Sequence, residues 1–400
     1  MQILFANELG GGLGHAHRLA PWVEALASYG HSAVCALRNI VTPGAGFFGG
    51  GTRVIQAPVL LQQPIGRRAA ELSYAEILLS AAGYGNAKVL ASLVDAWLAL
   101  IDLCEARLLV ADFAPSALLA ARIRGIACVN VGDGYTIAPQ GAAFGRVGAC
   151  DVVRLRNADH RVITVVNEVL AAVFCPGIAE VADLQAADLT ILATYPELDH
   201  YHDVVRELPY AGHFALHDQR GFEWSGSPGP RVVAYLNPEA RNFNAIVGQL
   251  AKLRGKVHLY AGGVVRDSAP VAGYGLHWQA APLPIPAALG HCDLVVSHGG
   301  HGLVCASLLA AKPLLIFPSN HEQTLTALNV ERMGAGTWVH PDADVRKLGR
   351  VFERALNTAQ WRLRASEFSA THGPAYQTAT ARLADHAEQI IGLATAPDRR

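Results

Sequence analysis

The residues Ser297-His298-Gly299-Gly300-His301-Gly302 are the part of this chain whose types and spacing most directly suggest chemistry. An apolar run at 294–296 leads into a turn of glycines and two histidines, and small and apolar residues follow at 303–310. A strand, a glycine turn and a helix start in that order offer backbone N–H groups and the positive end of a helix dipole to an anion. Glycine lets a bulky diphosphate come close to the backbone. His298, at the strand end, is placed to donate to a phosphate oxygen. A second apolar run, Pro313-Leu314-Leu315-Ile316-Phe317-Pro318, precedes Glu322-Gln323. Both segments then end where open α/β sheets bind ligands, beyond the carboxyl ends of the strands. The competing reading of the glycines alone is a plain turn with a structural His298; the acidic-Gln pair downstream favours binding.

A second glycine loop, Gly10-Gly11-Gly12-Leu13-Gly14-His15, follows the first apolar run. A dinucleotide fingerprint needs an acidic residue roughly 20 positions on, at the end of the next strand. Cys35, Ala36, Leu37 and Arg38 stand there, which disfavours NAD. Another apolar run ends in Val110-Ala111-Asp112-Phe113, where an isolated Asp ordinarily caps the following helix. His17 lies two residues from His15 and so shares no helix face with it. His200 and His202 fall in a polar stretch and read as solvated. His298 and His301 lack the third ligand of a zinc site. Asp342-Ala343-Asp344 reads as solvated surface and helix-cap chemistry, so no metal is expected.

Residues 278–336 resemble the donor-binding signature of the GT1-type nucleotide-sugar glycosyltransferases. That signature is His-Gly-Gly-x-Gly (His298, Gly299, Gly300, His301, Gly302), a Pro-x-x-x-x-Pro strand (Pro313 and Pro318), Asp/Glu-Gln (Glu322-Gln323) and a Gly-x-Gly turn (Gly334-Ala335-Gly336). The resemblance implies a GT-B fold: α/β, with two Rossmann-like, doubly wound domains facing a central cleft. It implies an inverting transfer of sugar from a nucleoside-diphosphate donor to an acceptor hydroxyl. The diphosphate is expected on His298, Gly300, His301, Gly302 and Leu303, with Asn237 where the family has a small hydroxylated residue. Glu322 and Gln323 are expected on the donor sugar. In the family a Gly-His in the first loop carries the general base, which His15 matches. A carboxylate after a later strand supports that base, which Asp112 matches. Histidine suits proton removal near neutral pH, and a carboxylate fixes its tautomer. Candidate acceptor contacts are Asp133, Tyr135 and Phe144, although these aromatics equally suit a core.

Two departures bear on the donor. Leu303 replaces the Ser or Thr whose hydroxyl meets a phosphate, and Ala306 stands where users of UDP often have a ribose-binding Glu. Loss of that acceptor suits a deoxyribose donor such as a dTDP-sugar, with UDP left open. Two rival readings remain on this fold: a nucleotide-sugar 2-epimerase, and a binding partner without turnover.

These residues require a scaffold, and the rest of the chain supplies its signs. Apolar runs at 3–6, 32–37, 54–56, 107–111 and 127–131 alternate with helical periodicity at 15–28, 74–103 (interrupted at Gly83 to Gly85) and 115–124, which implies a parallel sheet. A second series runs from residue 231. The expected domains are residues 1–216 for the acceptor and 231–374 for the donor, joined by a Gly/Pro/Ser-rich linker at 217–230. A terminal helix at 375–393 is expected to lead the tail, 375–400, back to the first domain. At 400 residues the chain exceeds the roughly 250–300 of a single core. A net charge of -1 argues against nucleic acid. Seven scattered cysteines suggest free thiols in a reducing cytoplasm. The start, Met1-Gln2-Ile3-Leu4, reads as a strand and not as a signal peptide. No apolar run reaches the roughly 18–20 residues of a membrane span, which leaves only peripheral membrane contact open. The Arg and Ala bias suggests a bacterial source. The expected partners are the nucleotide-sugar and a small-molecule or lipid-linked acceptor, with no cofactor.

Overall fold

A computed structural model describes residues 1–11, 13–41, 47–49, 51–60, 71–145, 151–214, 220–224, 229–262 and 275–395. Gly12, Cys150 and linker positions 217–219 and 225–228 lie outside the described residues. The chain divides into two compact units, Met1–Leu216 with Thr378–Arg400, and His217–Gln377.

The first unit runs β1 (Gln2–Asn7), α1 (Leu13–Ser28), β2 (Ser32–Leu37), β3 (Arg53–Gln56), α2 (Tyr74–Ala81), α3 (Ala87–Leu103), β4 (Leu108–Ala111), α4 (Pro115–Arg124), β5 (Ala127–Gly132), α5 (Val152–Ala172) and β6 (Leu189–Leu192). The strands pair in parallel in the order β3-β2-β1-β4-β5-β6. Helices covering both faces of a parallel sheet require strands apolar along their length. Ile3, Leu4, Phe5 and Ala6 of β1 and all four residues of β4 are accordingly buried. Leu19, Trp22, Val23 and Leu26 of α1 lie on its buried face, as their spacing predicts. The interruption expected at Gly83 to Gly85 within 74–103 separates α2 from α3, and Gly83 there has a φ of +77°, in the left-handed region.

The second unit runs β7 (Arg231–Tyr235), α6 (Phe243–Leu250), β8 (Lys256–Tyr260), β9 (Leu276–Gln279), α7 (Ile285–Gly290), β10 (Leu294–Ser297), α8 (His301–Leu309), β11 (Leu314–Ile316), α9 (His321–Met333), β12 (Gly336–Trp338), α10 (Leu348–Asn357) and α11 (Ala359–Gln377). Its strands are parallel in the order β12-β11-β10-β7-β8-β9. The Gly-x-Gly turn has a packing reason. Gly334 ends α9 at φ +70°, and a Cβ on Gly336 would lie 2.2 Å from the Leu314 carbonyl oxygen. The single helix expected at 375–393 is instead two, because α11 stops at Gln377 and α12 (Ala379–Thr395) starts anew beyond Thr378.

The two sheets have one topology. In the first, strand order reverses between β1 and β4; in the second, between β7 and β10. Such a switch point opens a crevice at the strand carboxyl ends. His15 and Asp112 follow β1 and β4, whereas Asn237 and His298 follow β7 and β10. Among the described residues, no helix is long and apolar enough to cross a membrane. The described cysteines are free thiols.

Candidate active site

His15 lies in the first turn of α1, and Asp112 directly follows β4. Parallel pairing of β1 with β4 brings these chain ends together. His15 Nδ1 is 3.0 Å from Asp112 Oδ2, and Asp112 is fully buried. An ionised carboxylate only accepts, so Nδ1–H donates and the lone pair is left on Nε2. Gly10 has to be glycine beside that atom. Its φ is +81°, and a Cβ there would sit 2.0 Å from His15 Nε2. Asp112 is fixed from behind by backbone contacts. Its N–H donates to Ala6, and its carbonyl accepts from Asn7 Nδ2 at 3.0 Å. The next residue, Phe113, has a φ of +52°, unusual outside glycine. Its carbonyl is held by the Leu9 N–H at 2.9 Å, and its ring stacks at 6.1 Å on His15.

Asp112 does not cap α4, the alternative that its position suggested. Ala114 occupies the cap position, with no side-chain hydrogen bond of its own. Glu8 supplies acceptors from the end of β1. Its Oε2 takes the Ser116 N–H at 2.9 Å and its Oε1 the Ser116 hydroxyl at 2.7 Å. Glu8 is buried, and burial pushes its carboxyl up to about 7 against the lowering effect of Ser116.

The other oxygen of Asp112 receives Arg18. Nη1 donates to Asp112 Oδ1 at 2.7 Å, and Nη2 donates to Oδ2 of Asp133, just after β5. Oδ1 of Asp133 accepts the N–H groups of Tyr135 and Thr136 at 3.0 and 3.1 Å. Asp133 is thus placed behind His15, fully buried. Tyr135 and Phe144 are also buried and stack on each other at 4.7 Å. Phe113 meets both Tyr135 and Tyr74, so an aromatic layer extends from the His15 ring. His200 is a correction: it is buried against Tyr135 and not solvated, since the loop folds over this aromatic layer. His202 is exposed, 3.2 Å from Asp203.

In the second unit, His298 follows β10. Its N–H donates to the Tyr235 carbonyl at 3.1 Å, and its Nδ1 lies 3.2 Å from that same oxygen. Burial holds the ring below the ordinary histidine range, although the Tyr235 carbonyl opposes this. A neutral ring with its proton on Nδ1 offers Nε2 as an acceptor, so donation to a phosphate from Nε2 needs a second proton. Gly299, at φ +90°, packs its α-carbon against Ile316 and Gln323, and a Cβ would lie 2.9 Å from Ile316 Cγ2. This contact brings the two halves of the signature together. Gly300 opens α8 with no side-chain cap, leaving the helix start to a ligand or solvent. His301 turns inward, 3.7 Å from Cys305 Sγ, so only its backbone belongs to the helix start. Gly302 and Leu303 continue that first turn, half-buried. Asn237 Oδ1 accepts the Glu239 N–H at 3.0 Å. Gln323 Oε1 accepts the Ser319 N–H at 2.8 Å, and Glu322 stands beside it, half-buried in the first turn of α9.

Asp342 pairs with Arg241, and Asp344 takes the Arg346 N–H at 3.0 Å while pairing with its guanidinium at 2.9 Å. Among the described residues, no three His, Cys, Asp or Glu side chains cluster as metal ligands. Arg18 and Glu8 were not singled out from sequence. The signal for Arg18 was its position three residues after His15, which puts both on one helix face. Glu8 had no comparable signal.

No protein-family model matches the chain, and no curated protein matches it. Solved structures match over almost its whole length. CalG4, the calicheamicin glycosyltransferase, is 18% identical with a TM-score of 0.70, over 98% of this chain and 98% of that one. SsfS6, a glycosyltransferase of Streptomyces sp. SF2575 solved with thymidine diphosphate, is 20% identical with a TM-score of 0.63, over 98% and 99%. The glycosyltransferase VinC, solved with dTDP, is 16% identical with a TM-score of 0.64, also over 98% and 99%. At these identities the likeness shows the fold: two Rossmann-like domains, the GT-B type that the signature implied.

Proposed function

We propose that the protein is an inverting glycosyltransferase that moves a sugar from a nucleoside-diphosphate donor to an acceptor hydroxyl. The observation that carries this reading is the buried His15–Asp112 pair at the switch point of the first sheet, with Asp112 excluded from helix capping. His15 Nε2 takes the acceptor proton as the acceptor oxygen attacks the anomeric carbon. The new C–O bond forms as the bond to the diphosphate breaks, which inverts the centre in one displacement. Asp112 offsets the charge of the imidazolium that results.

The second unit holds the donor in this reading. The uncapped start of α8, and a His298 that takes up its second proton against the effect of burial as the diphosphate binds, offset the charge on the leaving diphosphate, so no metal ion is needed. Glu322 and the amide nitrogen of Gln323 face the sugar hydroxyls. The aromatic layer beside His15 suits an acceptor with an apolar body. SsfS6 and VinC were solved with thymidine diphosphate, in keeping with a dTDP-sugar for this chain, where Ala306 offers no acceptor to a ribose 2′-hydroxyl.

Calorimetric titration with dTDP and UDP, each with and without EDTA, tests the donor site. The expected result is binding of dTDP at least as tight as UDP, unchanged by EDTA. A clear preference for UDP would overturn the donor assignment, and loss of binding in EDTA the metal-free cradle. Incubation with a panel of nucleotide-sugars and acceptors tests the reaction. Epimerised donor as the sole product, or no turnover at all, would favour one of the two rivals.

A further inference from the structure

Arg18 joins two fully buried carboxylates, Asp112 and Asp133, and the transfer reaction by itself explains neither Arg18 nor Asp133. Its guanidinium ties Asp112 Oδ1 and Asp133 Oδ2, while Asp112 Oδ2 is left for His15. We infer that Arg18 and Asp133 are positioning residues that hold His15 in its neutral, proton-accepting form through Asp112. The inference rests on the reading of His15 as the base.

The geometric part follows from the two oxygens of one carboxylate. A buried Asp bonded only to His15 could rotate about its Cβ–Cγ bond and present either oxygen. Arg18 occupies Oδ1, so Oδ2 stays on His15 Nδ1. Arg18 is three residues beyond His15 on α1, so one helix face delivers both partners to the carboxylate. Asp133 is itself fixed by the Tyr135 and Thr136 N–H groups, which anchors the far end of the guanidinium.

The electrostatic part follows from counting charges. Asp112 and Asp133 contribute two negative charges and Arg18 one positive, all with side chains at most 12% exposed. With His15 neutral the cluster carries one net negative charge; with His15 protonated it carries none. Burial strengthens each of these couplings. Without Arg18, two uncompensated carboxylates would favour imidazolium and leave the base already occupied at neutral pH. Without Asp133, the nearby guanidinium would disfavour imidazolium and weaken the base. The other described groups facing the ring carry no charge directed at it. Phe113 contributes an uncharged ring, Tyr74 packs on Phe113, His17 points to an edge contact with Phe47, and Glu8 is turned to Ser116.

The test follows the His15 ring itself and needs no substrate. Full-length protein labelled with ¹⁵N-histidine is titrated by NMR, and the His15 resonance is assigned by its absence in His15→Gln. Arg18→Met is expected to raise the His15 titration midpoint, and Asp133→Asn to lower it, each by up to about one pH unit, the low end of a neighbouring charge's effect. The Arg18→Met/Asp133→Asn double variant should fall between the two. Unmoved midpoints, or shifts in the same direction, would overturn the inference. Should Arg18→Met fail to fold, Asp133→Asn decides alone: its amide oxygen still accepts from Tyr135 and Thr136, its NH₂ gives Arg18 neither charge nor acceptor, and an unmoved midpoint would refute the role. If His15→Ala kept full transfer activity, the base assignment would fall while these shifts remained, so the two failures are distinguishable.

Discussion

A His15→Ala protein is expected to bind nucleotide as the native chain does and to transfer sugar at least about a hundredfold more slowly. A positioned general base ordinarily contributes a factor of about 10²–10⁴. The substitution removes Nε2, which lies against Gly10 at the switch point of the first sheet. It leaves the glycine turn at the start of α8 in the second unit untouched. The measurement is kcat with an acceptor found in the panel, at neutral pH, beside calorimetry of the nucleotide. A rate near that of the native chain would refute the assignment of the base.

Asp112→Asn should be at least as damaging, up to the order of ten-thousandfold, by the logic of a triad whose histidine is held in the wrong tautomer. Arg18 dictates the outcome. Its Nη1 can only donate, so the Asn oxygen must face it. The amide NH₂ then faces His15, whose Nδ1 becomes the acceptor. The ring proton moves to Nε2, and the atom that should take the acceptor proton already carries one. A carboxylate that merely capped a helix would be replaced well by Asn. Unchanged kinetics in Asp112→Asn, with an unchanged melting temperature, would therefore contradict the dyad.

The sheet strands were legible because a parallel sheet covered on both faces demands unbroken apolar runs, such as residues 3–6 and 294–296. The glycine loops were legible because few other sequences permit that backbone. Less visible were the elements whose pattern is diluted. β6 (Leu189–Leu192) is broken by Thr190 and only half-buried at its start, and α5 presents Ala158, Val162, Val166 and Val169 on a helix otherwise crowded with charge. The site divides in the same way. His15, Asp112 and His298 stand at strand ends beside recognisable turns. Arg18 and Glu8 act through partners 94 and 108 residues away, and local spacing shows at most that Arg18 shares a helix face with His15. Pairing across the sheet creates their roles, so they become visible only once β1, β4 and β5 are laid side by side.

Glu8 has a thermodynamic consequence for the whole first unit. Its carboxyl rises from an ordinary 4.5 to about 7 in the folded protein, so the native state holds a proton that the unfolded chain releases. The proton is therefore a ligand of the fold. This stabilisation is fully present below about pH 4.5 and is lost as pH rises through about 7, on the order of 3 kcal/mol in all. Mild acid tightens the strand end that carries the glycine loop, against the usual loss of stability by carboxylates. The arrangement is what lets Asp112 stay committed to His15, because the neighbouring strand has taken over the capping of α4 and, with it, the desolvation of a second acid.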